Sequence, residues 1–212
     1  MFTIIVGDLV RSRESSGRQQ ISRKIRLTIG RVSRDFRDEF YAPLVLTRGI
    51  DEVCGVLKRP DMSYRICSLV NQAVSPRVFR FAVVRGALDI AVASKDARTM
   101  DGPAFHVAAD MIQQAKKRNL FYSFDLASEF ADLDPWLSEV ANLLQILRSS
   151  WSKHQLRVVR LYEQLGSQKA AANKLSITQQ AVSDALRQAH WRELKRAEDL
   201  ICDVLGKRNP HK

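Results

Sequence analysis

The chain of 212 residues, 45% hydrophobic and 27% charged, has the composition of a soluble globular protein and length for one large domain or two small ones. Its formal charge of +11 and pI near 10.0 are not ordinary, and they favour a polyanionic partner or an acidic membrane surface. Cys54, Cys67 and Cys202 lie far apart with no CxxC or Cys/His cluster, which argues against a structural zinc site and against a disulfide framework.

Phe2 to Val6 is a short β-branched run that reads as a buried strand ending in a turn at Gly7-Asp8. These first residues suit neither a secretory signal nor a bilayer span, and no later segment approaches about 18 apolar residues. A cytoplasmic, reduced protein with no membrane partner is expected. Ser15 and Ser16 offer N-caps for a long helix with Ile21, Ile25, Ile29, Val32 and Phe36 on one stripe. Its other faces carry Arg18, Arg23, Lys24, Arg26, Arg31, Arg34 and Arg37, read as a solvated face over a sheet.

Pro43 to Thr47 reads as a strand, Arg48-Gly49-Ile50 as a turn, and Asp51 to Leu57 as a return strand or helix start. Ser63 to Val74 reads as a helix. Val78 to Val84 and Ala87 to Ala93 suit a β-hairpin or one bent strand pair around Arg85-Gly86. Asp101-Gly102-Pro103 makes a turn whose proline fits a first helical position. The helix Ala104 to Lys117 is expected to bury Val107, Ala108, Met111, Ile112 and Ala115, and Leu120 to Phe124 closes as a strand. The order β-α-β-β-α-β-β-α-β is close to a ferredoxin-like α+β sandwich with additions.

Asp125 to Pro135 is acidic, lacks apolar periodicity and reads as a linker. Everything from Trp136 onward is helical. One helix runs from Trp136 to Ser149, a second is capped by Ser152 and stopped by Gly166, and a last one is expected past Trp191 to Leu205, with Gly206 as its stop.

Between them, Gln168 to Leu186 reads QKAAANKLSITQQAVSDAL. Ala172, Leu175, Ile177, Val182 and Leu186 have the spacing of a helix-turn-helix, placed over residues 168–190. A small residue lets the second helix approach, Leu and Ile pin the turn, and Val and Leu bury the inner face. Ser176 stands where such a turn prefers glycine for its left-handed backbone. On the outer side Thr178 and Ser183 are placed for phosphates, Gln179, Gln180 and Arg187 for base edges, and Lys169 and Lys174 for the flanking backbone. Residues 151–212 carry 12 basic and 6 acidic side chains, +6, against +5 over the preceding 150, so charge is denser here. Double-stranded DNA is the leading partner, and a homodimer follows because one such helix reads few base pairs.

A second constellation is carboxylate-based. Asp8 ends the first strand, and Asp51 with Glu52 sits at a hairpin tip. In a ferredoxin-like sheet these ends are neighbours. Grouped carboxylates without His or Cys suit a hard cation such as Mg²⁺ or Mn²⁺, which in turn holds a nucleotide. Arg11, Arg13 and Arg48 are nearby in sequence as phosphate partners.

IIVGDLVRSR at Ile4–Arg13, TRGIDEVCGVL at Thr47–Leu57, RFAVVRGALDIAV at Arg80–Val92 and DGPAFHVA at Asp101–Ala108 stand in the order found in the SatD family, as do Trp151 and the run ending Ala189-His190-Trp191. The chain resembles that family over almost its whole length. The resemblance implies a degenerate nucleotidyl-cyclase-like domain over residues 1–130, akin to class III adenylyl cyclases and GGDEF proteins, and a helical DNA-binding domain over 136–212. It also implies that Asp8 and Asp51, with Glu52 adjacent, match the metal carboxylates. The chain departs from the pattern at Ile50, where a glycine precedes the acidic pair in the family, at Val53 and Cys54, and at Ala82 and Val84 in a segment usually rich in glycine. A β-branched side chain at 50 crowds a nucleotide's approach. The expectation is a regulator with a sensor or dimerisation domain. Its rival is a Mg²⁺-dependent nucleotidyl cyclase or nucleotidyltransferase with an accessory helix-turn-helix.

Overall fold

The computed structural model describes residues 1–10, 18–126 and 132–207, and of Arg18, Arg48 and Lys207 the backbone alone. The chain is mixed α+β and divides into two compact units, Met1–Asn142 with Ile201–Lys212, and Leu143–Leu200. The division falls inside a helix, later than Trp136. Ser15, Ser16, Arg11 and Arg13 lie outside the described residues.

In the first unit, β1 (Phe2–Leu9), α1 (Arg18–Asp35), β2 (Phe40–Arg48), β3 (Glu52–Leu57), α2 (Ser63–Val74), β4 (Phe79–Gly86), α3 (Pro103–Arg118) and β5 (Tyr122–Asp125) follow one another. The sheet order is β2-β3-β1-β4-β5. β1 pairs antiparallel with β3 and β4, β2 antiparallel with β3, and β4 parallel with β5. As the middle strand, β1 is buried on both faces, which is why its β-branched residues run without alternation. Ile4 and Val6 pack with Cys54, Val56, Ala82 and Val84 against Ala104, Ala108 and Ile112 of α3. Val107, expected in this core, is instead 38% exposed, since α3 turns its small residues inward.

Two expectations about strands are corrected. β1 continues through Gly7-Asp8 rather than turning there. A Cβ on Gly7 would meet Phe81 Cε1 at 2.6 Å and Val53 Cγ1 at 2.7 Å, so the glycine serves close packing within the sheet. The run Ala87 to Ala93 forms no strand pair with β4. Beyond a single bridge from Ile90 to Asp101 it becomes a short 3-10 turn at Val92–Ser94, entered through Ala91 and left through Lys95 in left-handed conformations. Ile90 is exposed, so burial does not favour a strand there.

β5 is an edge strand whose outer side is covered by α4 (Leu133–Ser149). Asp134 Oδ2 accepts from Leu126 N at 2.8 Å, Ser138 Oγ from Phe124 N at 3.0 Å, and Asn142 Oδ1 from Tyr122 N at 3.1 Å. Asn142 Nδ2 returns a bond to Tyr122 O at 2.8 Å. Four helical residues rise about 6 Å and two strand residues about 6.6 Å, so one helix stripe keeps step with alternate strand amides. The segment read as an acidic linker therefore ends in structure, with Asp134 buried as an acceptor.

In the second unit, α5 (Lys153–Leu165), α6 (Gln168–Leu175), α7 (Gln179–Gln188) and the start of α8 (Trp191–Lys207) follow α4. Gly206 lies within α8 rather than stopping it. The break falls earlier, at His190 with φ 50°.

Candidate functional site

α5, α6 and α7 enclose their own core. Val158 and Val159 meet Ala171 and Ala172, and Val182, Ala185, Leu186 and Ala189 close it. The paired alanines leave no side-chain bulk between α6 and its neighbours, so backbones approach closely. Each helix start is fixed locally. Ser152 Oγ accepts from Gln155 N at 3.1 Å while Gln155 Oε1 accepts from Ser152 N at 2.8 Å, a reciprocal capping box. Ser167 Oγ accepts from Ala170 N, and Thr178 Oγ1 accepts from Ala181 N at 3.1 Å. Thr178 is thus a cap, and its side-chain oxygen is already engaged.

The turn between α6 and α7 is three residues long and starts at Ser176, with φ 55° and ψ 45°. Ile177 N donates to Ala172 O at 3.1 Å, tying the turn back onto α6. Two tryptophans brace the assembly: Trp151 Nε1 donates to Ala189 O at 2.9 Å, and Trp191 Nε1 donates to Glu163 Oε1 at 3.0 Å with its ring edge-on to Tyr162.

With Val182, Ala185 and Leu186 buried, α7 turns Gln179, Gln180 and Arg187 to solvent, and Ser183 and Asp184 are partly exposed. Lys169 and Lys174 are exposed on α6. The sequence did not reveal the order among these side chains. Gln180 Nε2 donates to both Asp184 oxygens at 3.2 Å, and Arg187 Nη2 donates to Asp184 Oδ1 at 2.8 Å. Asp184 therefore holds two of the three side chains placed for base edges.

At the end of the sheet, registry sets Arg48, Glu52, Asp8 and Arg80 in one row across β2, β3, β1 and β4. Asp8 and Glu52 are thus neighbours, as expected, and Asp51 stands beside them, its carbonyl accepting from Leu9 N at 2.7 Å. The carboxylates of Asp8 and Glu52 are each engaged by a side chain of the protein. Lys116 Nζ of α3 lies 2.8 Å from Asp8 Oδ1, and Thr47 Oγ1 donates to Glu52 Oε1 at 3.0 Å. Among the described residues no three His, Cys, Asp or Glu side chains gather to hold a metal ion. Arg80 Nη2 donates to Asn119 Oδ1, and its Nε is buried without a hydrogen-bond partner among the described residues. Ile50 is buried, 5% exposed, so its side chain is spent on the core.

A family model described as the SatD family matches residues 2–201, nearly the whole chain. The chain belongs to the SatD family. A comparison with curated proteins returns no match. The SatD-family match covers both the charged row of the sheet and the α6–α7 pair, so the two sites belong to one family architecture. Lys116 and Arg80 escaped the sequence because nothing local links them to Asp8. Only the strand order and the placement of α3 do so.

Proposed function

We propose that this SatD-family chain is a DNA-binding regulator whose α6–turn–α7 segment acts as a helix-turn-helix. The observation that carries this is the turn at Ser176: it sets α7 with its apolar face inward and Gln179, Gln180, Ser183 and Arg187 outward. Lys169 and Lys174 supply flanking phosphate contacts. A recognition helix reads only a few base pairs, so two copies acting together fit the reading better than one. The strand order β2-β3-β1-β4 with antiparallel neighbours supports a ferredoxin-like, nucleotidyl-cyclase-like ancestry for the first unit, which serves as its sensor or dimerisation part. A nucleotide remains its candidate ligand, with arginines rather than a metal as phosphate partners. Three cysteines outside any disulfide accord with a cytoplasmic setting, and among the described residues no helix is long and apolar enough to cross a membrane.

Selection from a random duplex pool followed by anisotropy titration tests the DNA reading. Arg187→Ala and Gln179→Ala are expected to flatten sequence preference, and Lys174→Ala to weaken all duplexes alike. Equal affinity of wild type and the Gln180→Ala/Arg187→Ala variant for every duplex tested overturns it. The enzymatic rival, a metal-dependent cyclase or nucleotidyltransferase, is disfavoured by the Lys116 ammonium on Asp8. Turnover of any nucleoside triphosphate with Mg²⁺ or Mn²⁺, lost in Asp8→Asn, would reinstate that rival.

A further inference from the structure

Helix α1 holds six basic residues and one acidic residue, +5 on a single helix against +6 over the last 62 residues of the chain. Its buried side is Ile25, Ile29 and Val32. At 3.6 residues per turn, Arg23, Arg26, Gly30 and Arg34 fall within an arc of about 80° on the opposite side. All four are exposed. A Cβ at Gly30 would meet nothing within 4 Å, so the middle of the stripe is open. The acid of the helix, Asp35, lies off the stripe and pairs with Arg31 at 3.8 Å. Lys24 is turned aside, donating to Ser75 O at 2.9 Å. Arg26 Nε reaches Ser22 Oγ at 3.4 Å, and among the described residues Arg23 and Arg34 have no carboxylate partner.

Arg23 and Arg26, three residues apart, repel one another, and an anion bound along the stripe relieves that repulsion. Guanidinium forks match phosphate oxygens in pairs. From Arg23 to Arg34 the helix rises about 16 Å, the axial length of about five base pairs of a duplex. α1 has no aromatic residue on which unpaired bases would stack. Leu27 is the one exposed large apolar side chain on α1, too little for insertion into a lipid surface. We propose that the Arg23–Arg26–Arg34 face of α1 binds the backbone of double-stranded DNA without regard to sequence. The choice of DNA among polyanions rests on the helix-turn-helix reading, while the face itself is an independent observation.

The test uses the full chain, titrated with a mixed-sequence duplex over a range of salt, beside an Arg23→Gln/Arg26→Gln/Arg34→Gln variant. The variant is expected to bind about tenfold or more weakly at low salt, with the slope of log K on log salt reduced by about 2 to 3 and sequence preference unchanged. Circular dichroism checks that it is folded, as substitutions at exposed positions should allow. Wild-type affinity and slope in the variant overturn the α1 proposal while an effect of Arg187→Ala keeps the helix-turn-helix. No duplex binding by the wild type overturns both. Phosphatidylserine vesicles form the last arm: a variant that loses vesicle binding but keeps duplex binding shows that the face serves lipid, and overturns the proposal.

Discussion

The ammonium of Lys116 lies 2.8 Å from the carboxylate of Asp8, so the acid at the end of β1 already has its cation. The pair is partly buried, Asp8 more than Lys116. Glu52 stands opposite Asp8 in register, and a second negative charge there makes the lysine more needed. Removing Lys116 leaves two adjacent carboxylates facing one another.

Lys116→Met is therefore expected to lower stability by about 1 kcal/mol, measured by urea unfolding. Asp8→Asn in the same chain should recover part of the loss, the signature of a coupled pair. Chelators and Mg²⁺ should leave the melting temperature of the wild type unchanged. A rise with Mn²⁺ that disappears in Asp8→Asn would show that metal displaces the lysine.

Asn142 satisfies both an amide and the carbonyl of Tyr122 on the outer side of β5, and it is buried. Asn142→Leu deletes these bonds without supplying others, so buried backbone groups are left unpaired. A loss of about 2–3 kcal/mol is expected. Ser138→Ala, which removes one acceptor, should cost about 1 kcal/mol. Amide exchange should accelerate first at Phe121 and Tyr122 in Asn142→Leu and at Phe124 in Ser138→Ala, the donors that lose their acceptors. Exchange unchanged at those amides would mean that α4 does not hold the edge.

The stripe Asp134, Ser138 and Asn142 also marks where sequence reading stops. On sequence alone Asp134 belongs to the linker, and Ser138 and Asn142 are polar positions of a helix; their register against a strand is a tertiary fact. Ser152, Gly166 and Ser176 were legible because caps and left-handed turns act over a few residues. Gly7 was legible as special but not in kind: the Phe81 ring that needs its space arrives from β4. The acidic neighbours Asp8 and Glu52 followed from the expected strand order. Lys116 did not, because only the placement of α3 on the sheet brings it to Asp8.

Cys54 and Cys67 are buried, and both thiols are held protonated. Burial pushes Cys54 up from 9.0 to about 12, Glu52 and Asp96 push the same way, and Arg98 opposes. Its Sγ donates to Ala97 O, which also requires the proton. Burial raises Cys67 as well. In the unfolded chain these thiols ionise near 9.0, while the folded chain keeps its protons. The unfolded state then binds fewer protons, so stability is full below pH 9 and falls as pH rises from 9 towards 12. Cys54→Ala should flatten that fall in denaturant melts, and a fall equally steep in the variant counts against the assignment. At neutral pH, Cys202, which is partly exposed, should react with a thiol reagent before either buried cysteine does.

Asp184 is the one acid on α7, and it lies between Gln180 and Arg187, bonded to both. If α7 reads DNA, this carboxylate has two effects. It cancels charge on the face that meets phosphates, which weakens binding to any duplex. It also narrows the rotamers of Arg187, which favours bidentate recognition of guanine over loose phosphate contact. Asp184→Asn removes the charge and loosens Arg187 together. The expected result is tighter binding to every duplex and a smaller ratio between the best and the average sequence. A structural role alone would not move that ratio, since the partly exposed side chain contributes little to folding. Wild-type preference and affinity in Asp184→Asn would assign Asp184 no part in recognition and leave Arg187 to act alone.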